Sequence, residues 1–330
     1  MKRQNSANAT TTSPSKYFSN TSNQFSEILK QITQNSNNKP IRKACSPNSN
    51  NQMQKRVKTQ ITSISRNPNQ NIHNKNFNSS VPKNKLEYYQ VLEQIGSGKF
   101  GKVYKCLLNQ TKKLYAIKMI DKLYLKKNQM LHQLHREVAI QQMLKHQNII
   151  QLVEFFETTN NYCLVLEYAT GGTLFQSLMK QNNRRYSEPA ASNIIKQVAC
   201  AIQQMQQQSI IHRDLKPENI LWCNGQIKIS DFGWSVQDKK ERDTLCGTID
   251  YLSPEMVFGQ QYDNSIDLWS LGVLTFELTT GRTPFQVQEG FTLQFPDYLS
   301  GDVKDLMKGL LTDKKNRKSI EWVLNHVWLS

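Results

Sequence analysis

Ile211-His212-Arg213-Asp214-Leu215-Lys216-Pro217-Glu218-Asn219 is the stretch on which the reading of this chain turns. It reproduces the string H-R-D-L-x-x-x-N in full. The Asp214 carboxylate can accept the proton of a substrate hydroxyl. Asn219, five residues on, supplies an amide oxygen that can hold a magnesium ion. An eight-residue match of this kind does not arise from helix or strand patterning alone.

Reading onward, Ile227-Lys228-Ile229-Ser230-Asp231-Phe232-Gly233 places a second carboxylate, Asp231, seventeen residues after Asp214. A carboxylate is a hard oxygen ligand suited to magnesium bridging ATP phosphates. Between them, Ile220-Leu221-Trp222 and Ile227-Lys228-Ile229 read as a hairpin that draws Asn219 and Asp231 to one metal site. Ser253-Pro254-Glu255 then closes a segment containing Thr244, Cys246, Gly247 and Thr248. After it comes the largely apolar run Ser265-Ile266-Asp267-Leu268-Trp269-Ser270-Leu271-Gly272-Val273, with a single aspartate.

Reading back from Asp214, Gly96-Ser97-Gly98-Lys99-Phe100-Gly101-Lys102-Val103 is a G-x-G-x-x-G-x-V. Dinucleotide-binding folds share the glycine spacing but need a helix straight after it, whereas Val103-Tyr104-Lys105-Cys106 continues as strand. The glycines therefore read as a hairpin whose amides can approach phosphates closely. Lys118, in the apolar strand Ala116-Ile117-Lys118, needs an anionic partner, because burying a lone ammonium is costly. ATP phosphates and Glu137, on the following helix, would both serve.

Strand patterns run over Lys102–Leu107, Leu114–Ile120, Ile149–Phe156 and Asn161–Tyr168, with a helical pattern from about Asn128 to Leu144. Beyond Thr170 the pattern is mainly helical. The expected class is α+β, a small β-rich half followed by a larger helical half.

The net charge of +16 is unevenly spread. Residues 1–86 hold 14 Lys or Arg against Glu27 alone, a charge of +13, which leaves +3 for the rest. The same stretch has 17 Asn and little apolar periodicity beyond Phe25, Ile28, Leu29 and Ile32. A tract like this cannot bury enough surface to offset roughly 1–2 kcal/mol of ordering entropy per residue, so residues 1–85 read as a disordered basic tail. Its charge suits microtubules, nucleic acid, acidic proteins or an anionic surface. The six cysteines form no C-x-x-C pair, which excludes a zinc pattern or disulfide framework and suits a reducing compartment, cytoplasm or nucleus. No run of 18 apolar residues exists, so no membrane span is expected.

Taken in order, these motifs resemble the eukaryotic protein kinases over residues 86–328, and Lys216 after Asp214 looks like the serine/threonine branch. Asp231-Phe232-Gly233-Trp234-Ser235-Val236 together with Thr244-Leu245-Cys246-Gly247-Thr248-Ile249-Asp250-Tyr251-Leu252 is similar to the Aurora kinases. The resemblance implies a bilobal fold, with an N-lobe of about 86–166, a hinge of 167–170 and a C-lobe of 171–328. It implies transfer of the ATP γ-phosphate, with Mg2+, to serine or threonine hydroxyls of protein substrates at basic sites, with Glu218 receiving a substrate arginine. Asp214 would be the base and Lys216 would steady the phosphoryl group. Leu166 would be the gatekeeper, the backbones of Glu167 and Ala169 would bind adenine, and Ile95, Val103, Ala116 and Leu221 would sandwich the ring. Asp267 would brace the catalytic loop, and Arg317 would pair with Glu255. Thr244 would be the activating phosphosite, its phosphate gathered by Arg136, Arg213 and Arg242. The family further implies a role in mitosis and chromosome segregation at spindle, centrosome or chromosomes, and an activator protein on the N-lobe. The alternatives are a kinase of a neighbouring basophilic group and a pseudokinase scaffold.

The chain also departs from the family pattern. Ser253 replaces the usual alanine, and only nine residues separate Phe285 from Phe295. Glu154 stands where vertebrate Auroras carry a residue that helps select between two activators, and it matches neither choice. Cys246, beside Thr244, invites a redox role, which needs a lowered thiol pKa and exposure.

Overall fold

The computed structural model describes residues 85–98, 101–237, 244–285 and 293–330. The basic tail up to residue 84, Lys99, Phe100, Arg242 and most of the shortened stretch after Phe285 lie outside these residues.

Five antiparallel strands form the first half: β1 (Tyr89–Gly98), β2 (Gly101–Leu108), β3 (Leu114–Asp121), β4 (Leu152–Glu157) and β5 (Asn161–Glu167), in the order β1-β2-β3-β5-β4. The hairpin between β1 and β2 closes on the pair Gly98 and Gly101. Gly101 has a steric reason to be glycine: a Cβ there would stand 2.2 Å from the Met119 carbonyl oxygen of β3. In β3 the side chains alternate. Ala116, Lys118 and Ile120 face one side, and Ile117 joins Cys106, Phe156, Cys163 and Val165 on the other.

Between β3 and β4 a short helix not read from the sequence precedes the one expected from about Asn128. Asp121 caps α1 (Lys122–Lys127) by accepting the Tyr124 N–H at 2.7 Å. Gln129, with φ of 54°, then breaks the path before α2 (Leu131–Met143). Leu134 and Val138 of α2 pack on Ile120, Leu125, Leu152 and Leu164. Glu137 is buried on the same helix, which sets up the pairing described below.

The second half is helical: α3 (Leu174–Met179), α4 (Glu188–Gln207), α5 (Pro254–Val257), α6 (Ser265–Thr280), α7 (Gly301–Leu310) and α8 (Ile320–Leu324). Helix α6 is apolar nearly all round, as a helix at the centre of a large core must be. It ends at Gly281, whose φ of 80° closes the C-cap. Side chains such as Trp269 and Phe276 are fully buried there, each worth roughly 1.5–3 kcal/mol of burial. Two small strand pairs lie against α4: β6 (Ile210–Ile211) with β9 (Val236–Gln237), and β7 (Ile220–Cys223) with β8 (Gln226–Ile229). The second pair is the hairpin read from sequence. A backbone bond from the Ile150 N–H to the Ile229 carbonyl ties it to the first half, and the Gly171 N–H bonds the Trp222 carbonyl just past the hinge. This is the bilobal α+β kinase fold. Among the described residues no helix is long and apolar enough to cross a membrane.

Candidate active site

The strand register brings the predicted upper residues onto one face. Gly96 pairs with Val103, Val103 with Lys118, and Ala116 with Leu166. Ile95 falls at an irregularity in β1 and stays exposed, while Ser97 pairs with Lys102. Glu167 ends β5, Ala169 follows two residues later, and Leu221 approaches them from β7 through its bridge to Thr173.

Lys118 Nζ lies 2.7 Å from Glu137 and 3.0 Å from Asp231. Burial pulls the Lys118 ammonium toward neutrality, but the two carboxylates outweigh it and hold its pKa well above the usual range. The Lys118 charge drives the Asp231 pKa down. Glu137 is pushed up by burial, against the pull of Lys118. A further tie runs from Gln133 of α2, whose amide donates to the Gly233 carbonyl at 2.6 Å.

The lower half is built on the catalytic loop. Asp267 of α6 accepts the backbone N–H groups of His212 at 2.8 Å and Arg213 at 3.0 Å. His212 is fully buried, and its ring meets Phe232 edge-on with centroids 5.0 Å apart. Arg213 and Asp231 both hold left-handed backbone, with φ of 71° and 60°. Asp214 is enclosed by donors. Asn219 Nδ2 reaches its Oδ2 at 2.9 Å, Lys216 Nζ the same oxygen at 3.2 Å, and the Thr248 hydroxyl its Oδ1 at 2.8 Å. Lys216 in turn donates to Thr248 Oγ1 at 2.6 Å. Ser230, beside Asp231, bonds the Asn219 carbonyl through both its N–H and its hydroxyl, so the hairpin does bring the two predicted metal ligands into one neighbourhood.

Those ligands fit magnesium. The Asn219 amide nitrogen is committed to Asp214, which leaves its oxygen as a neutral donor. The Asp231 carboxylate is 44% exposed toward the cleft. Two such oxygens suit an ion that completes its shell with substrate phosphates and water. Among the described residues no group of three or more acidic, histidine or cysteine side chains is placed to hold a metal.

Thr244 is half-buried, and its carbonyl accepts the Tyr262 hydroxyl at 2.8 Å. Arg213 donates to that same hydroxyl at 3.0 Å and to the Trp234 carbonyl at 2.7 Å. Arg136 sits on α2, one residue before Glu137. Gly247 has φ of 103°, and a Cβ there would meet the Arg213 carbonyl oxygen at 2.6 Å. Arg317 forms a buried bidentate pair with Glu255, at 2.6 and 3.0 Å. The redox reading of Cys246 is overturned. Its side chain is 8% exposed, and burial pushes the thiol pKa up, opposite to what reactivity needs.

Thr248 lies inside a quoted motif, but its contacts to Asp214 and Lys216 are not legible in it. Tyr262 and Glu277 carry no signal in the motifs, and Tyr262 owes its place to the path of the loop. Glu277 is half-buried, accepts the Tyr251 hydroxyl, and has its pKa raised by burial and by Glu218 and Asp250 nearby. A second carboxylate, ten residues after Asp267 in the otherwise uncharged helix α6, is the signal that could have found it.

The protein kinase domain family model matches residues 89–329. The chain is 39% identical over 303 residues to Aurora kinase A-A of Xenopus laevis, covering 82% of this chain and 74% of that protein. It is 40% identical over 254 residues to the Aurora kinase of Schizosaccharomyces pombe, covering 73% and 71%. It is 37% identical over 253 residues to Aurora kinase C of Mus musculus, covering 73% and 91%. The paired lysine, the braced catalytic loop and these relatives lead to one assignment: the chain belongs to the Aurora family of protein kinases, which use ATP and Mg2+ to phosphorylate serine and threonine residues of proteins.

Proposed function

We propose that Asp214 orients and deprotonates the acceptor hydroxyl, and that Lys216 and Thr248 hold it in place to do so. The observation that carries this reading is the closed set of contacts among Asp214, Asn219, Lys216 and Thr248. In the proposed cleft the amides of Gly96, Ser97, Gly98, Lys99, Phe100 and Gly101 and the Lys118 ammonium hold the ATP phosphates, with Glu137 fixing Lys118. Ile95, Val103, Ala116, Leu166 and Leu221 enclose the adenine, and the backbones of Glu167 and Ala169 bond it. Asn219 and Asp231 hold magnesium, which when bound draws charge from the phosphate oxygens. The protein contributes positioning and electrostatics rather than covalent chemistry.

The acceptor sites are proposed to be basic. Glu218 is exposed on the catalytic loop, and its field reaches Tyr251 and Glu277. Together with Asp250 these groups give a negative face suited to a substrate guanidinium. Phosphorylation of Thr244 is the proposed switch. A phosphate there would face Arg213, which already reaches the Thr244 backbone through Tyr262, with Arg136 and Arg242 as further donors. Glu154 bonds Lys85 and, at 3.4 Å, the Tyr89 hydroxyl, so an activator on that face of the N-lobe would meet an already engaged carboxylate. The basic tail, residues 1–85, is proposed to contact microtubules, nucleic acid or acidic proteins, and to help place the kinase at spindle, centrosome or chromosomes.

The test incubates the full chain with Mg-ATP and an arginine-rich peptide and maps the phosphosites. Phosphate on the peptide and on Thr244 is expected, with turnover strongly lowered by Thr244→Ala. Equal turnover by that variant and wild type would refute the switch.

A further inference from the structure

A surface segment far along the chain from Thr244 carries the same acceptor chemistry. Arg184-Arg185-Tyr186-Ser187 sets arginines three and two residues before a serine, and Arg242 stands likewise two residues before Thr244. Ser187 is exposed. It is the N-cap residue of α4, with extended backbone at φ −64° and ψ 153°, yet its hydroxyl makes no capping hydrogen bond. One reason is local: a capping oxygen bonds the N–H of the second or third helical residue, and the second here is Pro189, which has none. The hydroxyl is left uncommitted at the surface.

Its flanks differ in how firmly they are held. Arg184 is exposed. Arg185 lies over the Tyr298 ring, 4.0 Å from the centroid, and Tyr298 is itself 54% exposed. A cation–π contact at an exposed ring is weak, so a cluster of carboxylates can take this arginine over. Tyr186 is held more tightly, its N–H donating to the Leu278 carbonyl at 2.8 Å and its hydroxyl to Ser177 Oγ at 2.7 Å. Those two bonds must open before the segment enters a cleft.

We infer that Ser187 is a second phosphoacceptor of this kinase, modified by another copy of the same chain. The inference rests on the reading of Glu218, Asp250 and Glu277 as an arginine-accepting face. In the step, Ser187 Oγ of one copy forms a bond to the γ-phosphorus of ATP held by the other. The bond from that phosphorus to the β,γ-bridging oxygen breaks, and ADP leaves with the electron pair. The hydroxyl proton passes to Asp214 of the copy acting as enzyme. Because Tyr186 must first be released, Ser187 fills more slowly than Thr244.

The experiment uses full-length Asp214→Asn chain as acceptor, a small amount of tagged wild-type chain as enzyme, and Mg-ATP, with phosphosites mapped over time by mass spectrometry. Phosphate should accumulate on acceptor Ser187, later than on acceptor Thr244. In an acceptor that also carries Arg184→Gln and Arg185→Gln, the Ser187 rate should fall roughly tenfold or more. Continued filling of Thr244 in that acceptor reports an intact fold. Phosphate on Thr244 and on an arginine-rich peptide, with none on Ser187, would overturn the Ser187 assignment and leave the basic-substrate reading standing. Equal filling of Ser187 with and without the two arginines would also overturn it. A peptide phosphorylated equally well without its arginines would instead remove the reading beneath it.

Discussion

The Thr248 hydroxyl donates to the Asp214 carboxylate at 2.8 Å while accepting from the Lys216 ammonium at 2.6 Å. One small side chain thus fixes the relative positions of the proposed base and the cation beside it. Thr248→Val keeps the shape and removes both bonds. Loss of hydrogen bonds to charged groups should lower kcat by about tenfold to a hundredfold and leave KM for ATP nearly unchanged. Thr248→Ser should restore most of the rate. Steady-state peptide phosphorylation decides it, and an unchanged kcat in the valine variant would show the contact to be incidental.

Lys228 of β8 reaches the Glu167 carboxylate at 3.0 Å, with its side chain only 13% exposed. Glu167 ends the strand that leads into the hinge, so this pair ties the hinge to the β7–β8 hairpin. Lys228→Met should raise KM for ATP roughly threefold with kcat little altered, since a partly exposed pair is worth about 1 kcal/mol at most. Lys228→Arg should retain the wild-type value. A fall in kcat without a change in KM would place the effect elsewhere.

Ser253 is 1% exposed, and its hydroxyl has no hydrogen-bond partner. Ser253→Ala removes a buried polar group that gains nothing from being there. The variant should be more stable by about 1 kcal/mol, a rise in melting temperature of roughly 2–4 °C. Differential scanning calorimetry measures it, and a lower melting temperature would mean that the hydroxyl has a partner in solution.

His146 accepts the Asn148 N–H through Nδ1 at 3.1 Å. Burial first, and then the Lys228 charge, lower its pKa below 6.5. A base whose folded pKa is depressed is neutral in the fold but binds a proton in the unfolded chain as soon as pH drops below 6.5. Stability should be fully present above that pH and decline as pH falls toward the folded value. Urea titrations from neutral to mildly acidic pH should show His146→Gln with a shallower decline than wild type. Parallel curves would exclude His146 as the source.

Much of this site is legible in the sequence for a physical reason. An ammonium in an apolar strand and a carboxylate on a buried helix face cannot stand alone, so Lys118 and Glu137 predict each other. The hairpin after Asn219 follows from two short apolar runs and a turn. What escaped depends on where loops travel. Tyr262 is an ordinary residue until its hydroxyl is set between Arg213 and the Thr244 carbonyl, and Thr248 shows its contacts to Asp214 and Lys216 only in the fold. Helix α1 escaped because Lys122–Lys127 is a short turn with only Leu125 buried, too brief to show an apolar period. The family resemblance supplied the role of Asp267 but gave no hint that Glu277, ten residues on, lies beside Tyr251.

Asp267 grips the catalytic loop by the backbone N–H groups of His212 and Arg213 and touches neither side chain in doing so. Shape and chemistry are therefore specified from different places. With the main chain set by one buried helix residue, three consecutive side chains can point three ways: His212 toward Phe232, Arg213 toward Tyr262 and the Thr244 segment, Asp214 toward Asn219, Lys216 and Thr248. A substitution at any one of the three should silence a single line of communication. Losing Asp267 should blur all three at once, since its carboxylate holds the backbone N–H groups of both His212 and Arg213.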